Sequence, residues 1–151
     1  MELEKNSDEY YMRQALNEAE NAFAQDEIPV GAVIVMEEAI IARGYNLTQT
    51  LNDVTAHAEM QAITAAENYL GAKYLKDCTI YVTLEPCLMC AGAIAWAQTG
   101  RLVYGAPDPK KGYTTIPADI LHPKTKVRKG VLENECMSIL KEFFEKKREN
   151  G

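Results

Sequence analysis

No apolar run in this chain approaches the roughly 20 residues of a membrane-spanning helix, and nothing near Met1 reads as a signal peptide. A membrane protein and a secreted one are therefore not expected, and a cytoplasmic location is. Cysteine is scarce, four in all and without the regular spacing of a disulfide framework, which agrees with a reducing compartment. Positive charge is in deficit: 16 Lys and Arg stand against 22 Asp and Glu, a net −6 that at first argues against a nucleic-acid partner. Repeats, low-complexity stretches and linker-like segments are also missing, so 1–151 is expected to form one domain. What is present is the composition of a soluble globular protein, 47% apolar and long enough to bury a real core.

The charge is unevenly spread. Residues 101–151 hold eleven bases and seven acids, a local +4, including Lys110, Lys111, Lys124, Lys126, Arg128, Lys129, Lys141, Lys146, Lys147 and Arg148. Such a run is as often a plain solvated face as a binding surface.

Apolar periodicity gives the elements. Tyr11, Ala15, Leu16, Ala19, Ala22 and Phe23 recur at helical spacing over 8–24, with Ser7 as cap. Residues 30–36 and 39–43 read as two strands around a tight acidic turn at Glu37 and Glu38. Asn46 opens a polar loop and, from composition alone, is a turn residue. A helix is expected over 55–69, burying Met60, Ile63 and Ala62 or Ala66 and stopped by Gly71. Residues 79–84 alternate little, as in a strand buried on both faces. A small, apolar helix over 87–98 follows, with Trp96 expected in the core or at an interface. Residues 101–106 form the next strand, 108–113 an irregular loop, and 131–148 a closing helix. Strand, helix, strand in this order favours parallel pairing, with sites at the strand ends.

Two short motifs carry the chemistry. Cys87 and Cys90 are three apart, so at the start of a helix both sulfurs share one face and can bind one tetrahedral ion. Pro86 suits that start, and the free amides there favour thiolates, the form that binds metal. His57 and Glu59 can both lean across the open end of their own helix, with His57 on the metal and Glu59 aimed at its fourth position. Zinc is the natural occupant. Cys78 lies at the far end of a strand from Cys87, and Cys136 has no partner at ligand spacing, so no fourth protein ligand is evident. An open position is the mark of a catalytic zinc, where water acidified by the metal can pass its proton to Glu59. A redox cysteine pair would require neither His57 nor Glu59, and a purely structural zinc would not require Glu59.

His-x-Glu followed by Pro-Cys-x-x-Cys is the signature of the zinc-dependent nucleobase and nucleoside deaminases, which the chain resembles. More closely, Pro29-Val30-Gly31-Ala32-Val33, Gly44-Tyr45-Asn46, His57-Ala58-Glu59, Tyr81-Val82-Thr83-Leu84-Glu85-Pro86-Cys87, Cys90-Ala91-Gly92-Ala93-Ile94, Gly105-Ala106 and Asp108 are similar to the bacterial tRNA adenosine deaminases. The resemblance implies a three-layer α/β/α cytidine-deaminase-like fold around a mixed sheet of about five strands. It also implies one zinc ion per chain and a homodimer. The implied reaction converts adenosine to inosine at the wobble position of a tRNA anticodon stem-loop. By the same resemblance Asn46, Val30, Ala58, Pro86 and Asp108 shape the base pocket, and Lys110, Phe144 and Lys147 are candidate RNA contacts.

Some stretches depart from that family. Gly92-Ala93-Ile94-Ala95-Trp96-Ala97 and Leu70-Gly71-Ala72-Lys73 look like bacterial guanine deaminase, and Tyr113-Thr114-Thr115 replaces the usual small residues. Gly130-Val131-Leu132, Glu135-Cys136 and Phe143-Phe144 match the RNA enzymes instead. A guanine, free-purine or nucleoside deaminase is the alternative, and an inactive zinc-stabilised binding protein is the non-enzymatic one.

Overall fold

The computed structural model describes residues 4–150. Helix α1 (Asp8–Ala24) starts at Ser7, whose hydroxyl accepts the Tyr10 amide at 3.1 Å. A hairpin follows, β1 (Gly31–Met36) and β2 (Ala39–Tyr45), turned at Glu37 and Glu38 with φ of 51° and 67°. Two left-handed residues are what a two-residue hairpin needs to match the twist of its strands. Then come α2 (Ala58–Leu70), β3 (Cys78–Leu84), α3 (Leu88–Trp96), β4 (Arg101–Ala106), β5 (Lys126–Lys129) and α4 (Glu133–Asn150). The strands lie in the order β2-β1-β3-β4-β5; β1 runs antiparallel to β2 and β3, whereas β3, β4 and β5 are parallel.

The sheet is covered on both faces. Tyr11, Met12 and Leu16 of α1 and Cys136 of α4 pack with Val33, Tyr81 and Val103 on one side. Ala62 and Ile63 of α2 and Ile94 of α3 pack with Ile80, Val82 and Leu102 on the other. Strand β3 thus needs apolar residues at nearly every position, which is why its sequence alternates so little. This is a three-layer α/β/α arrangement around a mixed five-stranded sheet.

Some details differ from expectation. Strand β5 was not apparent in the pattern, because all four of its residues are exposed. Helix α2 begins at Ala58 and not at Thr55: the amide and hydroxyl of Thr55 both bind the Asp53 carboxylate, at 2.8 and 2.7 Å, and hold that segment as a turn. Trp96 is 85% exposed, which excludes the core and leaves the interface half of its reading.

The start of α1 is tied to the sheet by one carboxylate. Asp8, 12% exposed, takes both arms of Arg101 at 2.7 Å, Arg128 at 2.6 Å and the Tyr81 hydroxyl at 2.7 Å. The Arg101 hydrogen bonds above all, with those of Tyr81 and Arg128, hold its pKa well below the usual carboxylate range despite burial. A carboxyl depressed on folding stabilises the fold above its unfolded pKa, so this contribution is present at neutral pH and fades as pH falls below roughly 4. Asp8→Asn is expected to cost about 2 kcal/mol at pH 7, or roughly 4–8 °C in Tm, and most of that cost should persist at pH 3, because the folded-state carboxyl is protonated only well below that pH. Thermal denaturation at the two pH values checks this, and a cost that has vanished by pH 3 would refute it.

Candidate active site

Strands β3 and β4 are parallel and end side by side, at Leu84 and Ala106. The chain leaving β3 passes through Glu85 and Pro86 to Cys87, which caps α3 in an extended conformation, φ −72° and ψ 174°. His57 caps α2 in the same way, φ −71° and ψ 159°. Both side chains therefore leave the backbone ahead of a helix start and point across it. Gly44 sets the level of the α2 start: a methyl there would lie 2.5 Å from the Ala58 carbonyl oxygen and 2.8 Å from the Ala62 nitrogen, so α2 rests directly on β2.

The result is a convergence of donors. The ligand atoms of His57, Cys87 and Cys90 all lie within 4.8 Å of one another, a group that can hold a metal ion. The His57 Nδ1 stands 3.6 Å from the Cys87 sulfur and 3.5 Å from that of Cys90. A hydrogen bond from Cys90, assisted by His57, lowers the Cys87 thiol to about 4 against the cost of burial, so this sulfur is a thiolate at neutral pH. The same sharing raises Cys90, and the hydrogen bond to Cys87 raises His57. One imidazole and two sulfurs are a donor set that suits zinc, with fewer protein ligands than the four of a closed structural site. Cys78 and Cys136 are buried elsewhere, outside this group.

Glu59 sits on the first turn of α2, 4% exposed. Burial pushes its carboxyl up to about 7. A carboxyl poised there can both take and return a proton near neutral pH. It lines a cavity of about 250 Å³ together with His57, Ala58, Cys87, Val30, Asn46 and Asp108. That is slightly below the roughly 300–1,000 Å³ of typical ligand pockets and suits a single base. A larger groove of about 590 Å³ between α1 and α4 contains none of these converging donors.

Residues 5–106 match the cytidine and deoxycytidylate deaminase zinc-binding region. The tRNA-specific adenosine deaminase of Agrobacterium fabrum is 45% identical over 144 residues, which cover 92% of this chain and 95% of that protein. The chain belongs to this zinc-binding deaminase family, among the tRNA-specific adenosine deaminases. It also matches the chloroplastic tRNA(adenine(34)) deaminase of Arabidopsis thaliana, 44% identical over 91% of this chain, but spans only 12% of that much longer protein. A solved structure from studies of A-to-I editing by tRNA:A34 deaminases at the wobble position superposes with a TM-score of 0.80. It is 45% identical and the match covers 87% of this chain and 99% of that one. Guanine deaminase from Bacillus subtilis also matches, with a TM-score of 0.63 and 46% identity over 66% of this chain and 64% of that one.

Within this deaminase fold the other residues singled out from sequence are placed as follows. Asn46 is buried; its amide donates to the Ile28 carbonyl at 3.3 Å and its oxygen receives the Thr48 amide at 3.4 Å, so it is at once a turn residue and part of the cavity wall. Pro86 is buried behind Cys87, and its carbonyl accepts the Tyr113 amide. Asp108 accepts the amides of Lys110 and Lys111 at 3.2 and 3.0 Å. Lys110 is exposed and outside the cavity lining. Phe144 and Lys147 line a second groove of about 490 Å³ that shares Ile28 and Thr48 with the base cavity. Lys147 is paired there with Asp26 at 2.5 Å.

Five lining residues were missed: Ile28, Thr48, Leu84, Glu85 and Lys111. Thr48 and Lys111 stand two and three positions from residues already singled out, which is the only signal the sequence offered for them. Ile28 and Leu84 look like ordinary apolar residues.

Proposed function

We propose that this chain hydrolyses the wobble adenosine of a tRNA anticodon to inosine, as one catalytic domain holding one zinc ion on His57, Cys87 and Cys90. The observation that carries the reading is the meeting of those three donors with the buried Glu59 in a cavity sized for one base. When bound, the zinc ion acidifies a water molecule and so supplies the nucleophile at neutral pH. Glu59 takes the proton of the attacking water and passes it to N1 of adenine as oxygen bonds to C6. Glu59 then takes the remaining proton of the oxygen now bonded to C6 and gives it to the departing nitrogen, the C6–N bond breaks, and ammonia leaves. Water and adenosine become inosine and ammonia, with Glu59 restored.

The rest of the cavity orients the ring. Val30 and Leu84 offer apolar contact, while the Asn46 side chain and the backbone at Ala58 supply polar contacts to its edges. Asp108 lines the cavity from the loop after β4. A purine in an anticodon loop reaches this depth only by turning out of the stack, at a cost of a few kcal/mol. The neighbouring nucleotides must then lie outside, where the groove along α4 offers Phe144 for stacking and Lys147 for phosphate, and Lys110 is exposed on the loop after β4.

Four free cysteines and a thiolate metal site fit a cytoplasmic, reducing setting, and no described helix is long and apolar enough to cross a membrane. A homodimer would cover Leu88 and Trp96, which α3 leaves exposed.

Ammonia release is expected from an anticodon stem-loop bearing adenosine at the wobble position, and little from free adenosine or guanine. Turnover of guanine alone would overturn the RNA reading and favour the free-purine alternative that the segment Gly92-Ala93-Ile94-Ala95-Trp96-Ala97 resembles.

A further inference from the structure

Besides Glu59, two carboxylates lie inside the protein without a cation among the described residues. Glu27 has no exposed surface and Glu85 is 4% exposed. Neither is in an ion pair among the described residues. A buried carboxylate is costly unless its lone pairs are filled, and here each is filled by a single loop. Glu27 accepts the Gln49 amide at 3.1 Å, the Thr50 amide at 2.6 Å and the Thr50 hydroxyl at 2.6 Å. Glu85 accepts the Asp108 amide at 3.1 Å, the Thr114 amide at 3.0 Å and the Thr114 hydroxyl at 2.7 Å. The two sets are the same in kind, two amides and one threonine hydroxyl apiece.

Both loops belong to the base cavity. The first supplies Asn46 and Thr48 to its lining, and the second supplies Asp108 and Lys111. The second lies directly on its tether, since a methyl at Gly112 would fall 2.0 Å from Glu85 Oε2. The first loop also forms the floor of the outer groove, through Thr48, Gln49 and Thr50. Apolar packing does little for it: Leu51 is 52% and Val54 84% exposed. Burial alone would raise the Glu27 carboxyl, but the Thr50 and Gln49 hydrogen bonds outweigh it and keep the group below its ordinary value, ionised and able to accept all three.

We propose that Glu27 and Glu85 are positioning residues that fix the two loops walling the base cavity, and through them the recognition of an adenosine carried in RNA. This rests on the tRNA reading for its substrate, and the tethering itself does not. A free nucleoside needs only the cavity interior, whereas a polynucleotide must also lie across the loop surfaces beside it. Loosening a tether therefore weakens binding of the stem-loop more than it slows turnover.

Glu27 is the cleaner test, because it stands away from the cysteines. On zinc-loaded protein and the stem-loop, Glu27→Gln and Thr50→Val are expected to raise KM about tenfold while kcat changes by less than about threefold. Thr50→Ser, which keeps the hydroxyl, should restore the wild-type KM; Thr50→Val serves if Glu27→Gln does not fold. A role confined to global stability would lower Tm and the active fraction and leave KM alone, and that outcome overturns the proposal. Amide hydrogen exchange gives a second readout that needs no substrate. Exchange at Gln49 and Thr50 should quicken in Glu27→Gln while β3 stays protected, and unchanged exchange overturns the tether. Wild-type protein that leaves the stem-loop unmodified would sink the substrate reading, with the tether still decided by exchange.

Discussion

Glu59→Gln is expected to keep its zinc and to lose roughly 10³-fold or more in kcat, within the range ascribed to a positioned acid or base. The substitution preserves shape inside a site where Glu59 is only 4% exposed, so a large loss cannot come from a cavity. It removes the one property the reaction uses, a carboxyl that burial has raised to about 7 and that can therefore carry a proton in both directions. An amide does neither. Stability should not fall, since taking a carboxyl out of a dry site relieves desolvation. Single-turnover inosine formation, with zinc per chain measured on the same sample, checks both halves of the expectation. Activity within tenfold of wild type would assign the proton to another group of the cavity, where Glu85 and Asp108 are the other carboxyls.

What could be read beforehand follows from how local each signal is. Helix α1 has the bounds its apolar spacing gives, and its cap is Ser7, because capping and periodicity involve neighbours in the chain. Strand β4 likewise runs from Arg101 to Ala106. Strand β5 had no such signal: Lys126, Val127, Arg128 and Lys129 bury nothing, and the strand exists through parallel pairing with β4. Trp96 shows the opposite difficulty. In a short helix of almost wholly apolar residues there is no polar face to mark the outside, and burial of Cys90, Ala91 and Ile94 turns Trp96 outward.

The same contrast divides the site. His57 with Glu59, and Cys87 with Cys90, are legible as motifs because ligand spacing is a property of one helix start, and the structure brings both motifs to one point. The walls are not local. Ile28 arrives from the segment before β1 and Lys111 from the loop after β4, and each reaches the cavity only because β1, β3 and β4 are neighbours. Glu27 and Glu85 have a further disguise. An acid in a sequence reads as solvent-facing, and only the loop amides that fold over these two reveal them as anchors.

Cys90→Ser is expected to lose the metal altogether, to below about a tenth of an ion per chain, and all deamination with it. Its sulfur is fully buried and 3.5 Å from the His57 ring, so no solvent-exposed substitute can reach the position. A hydroxyl at neutral pH stays protonated and is a far weaker donor than a thiolate, which leaves two protein ligands where three were already the minimum for a catalytic site. Because an ion that binds only the folded chain stabilises it by mass action, Tm should fall in Cys90→Ser toward that of chelator-treated wild type. Zinc added back after chelation should restore activity and Tm to the wild type and to neither in the variant. Cys78→Ser and Cys136→Ser are the controls: both thiols are buried outside the donor group, so these variants should keep their zinc whatever they cost in packing. A Cys90→Ser protein that still carries one zinc ion and still makes inosine would show that the donor set at the end of this cavity is not the one that holds the metal.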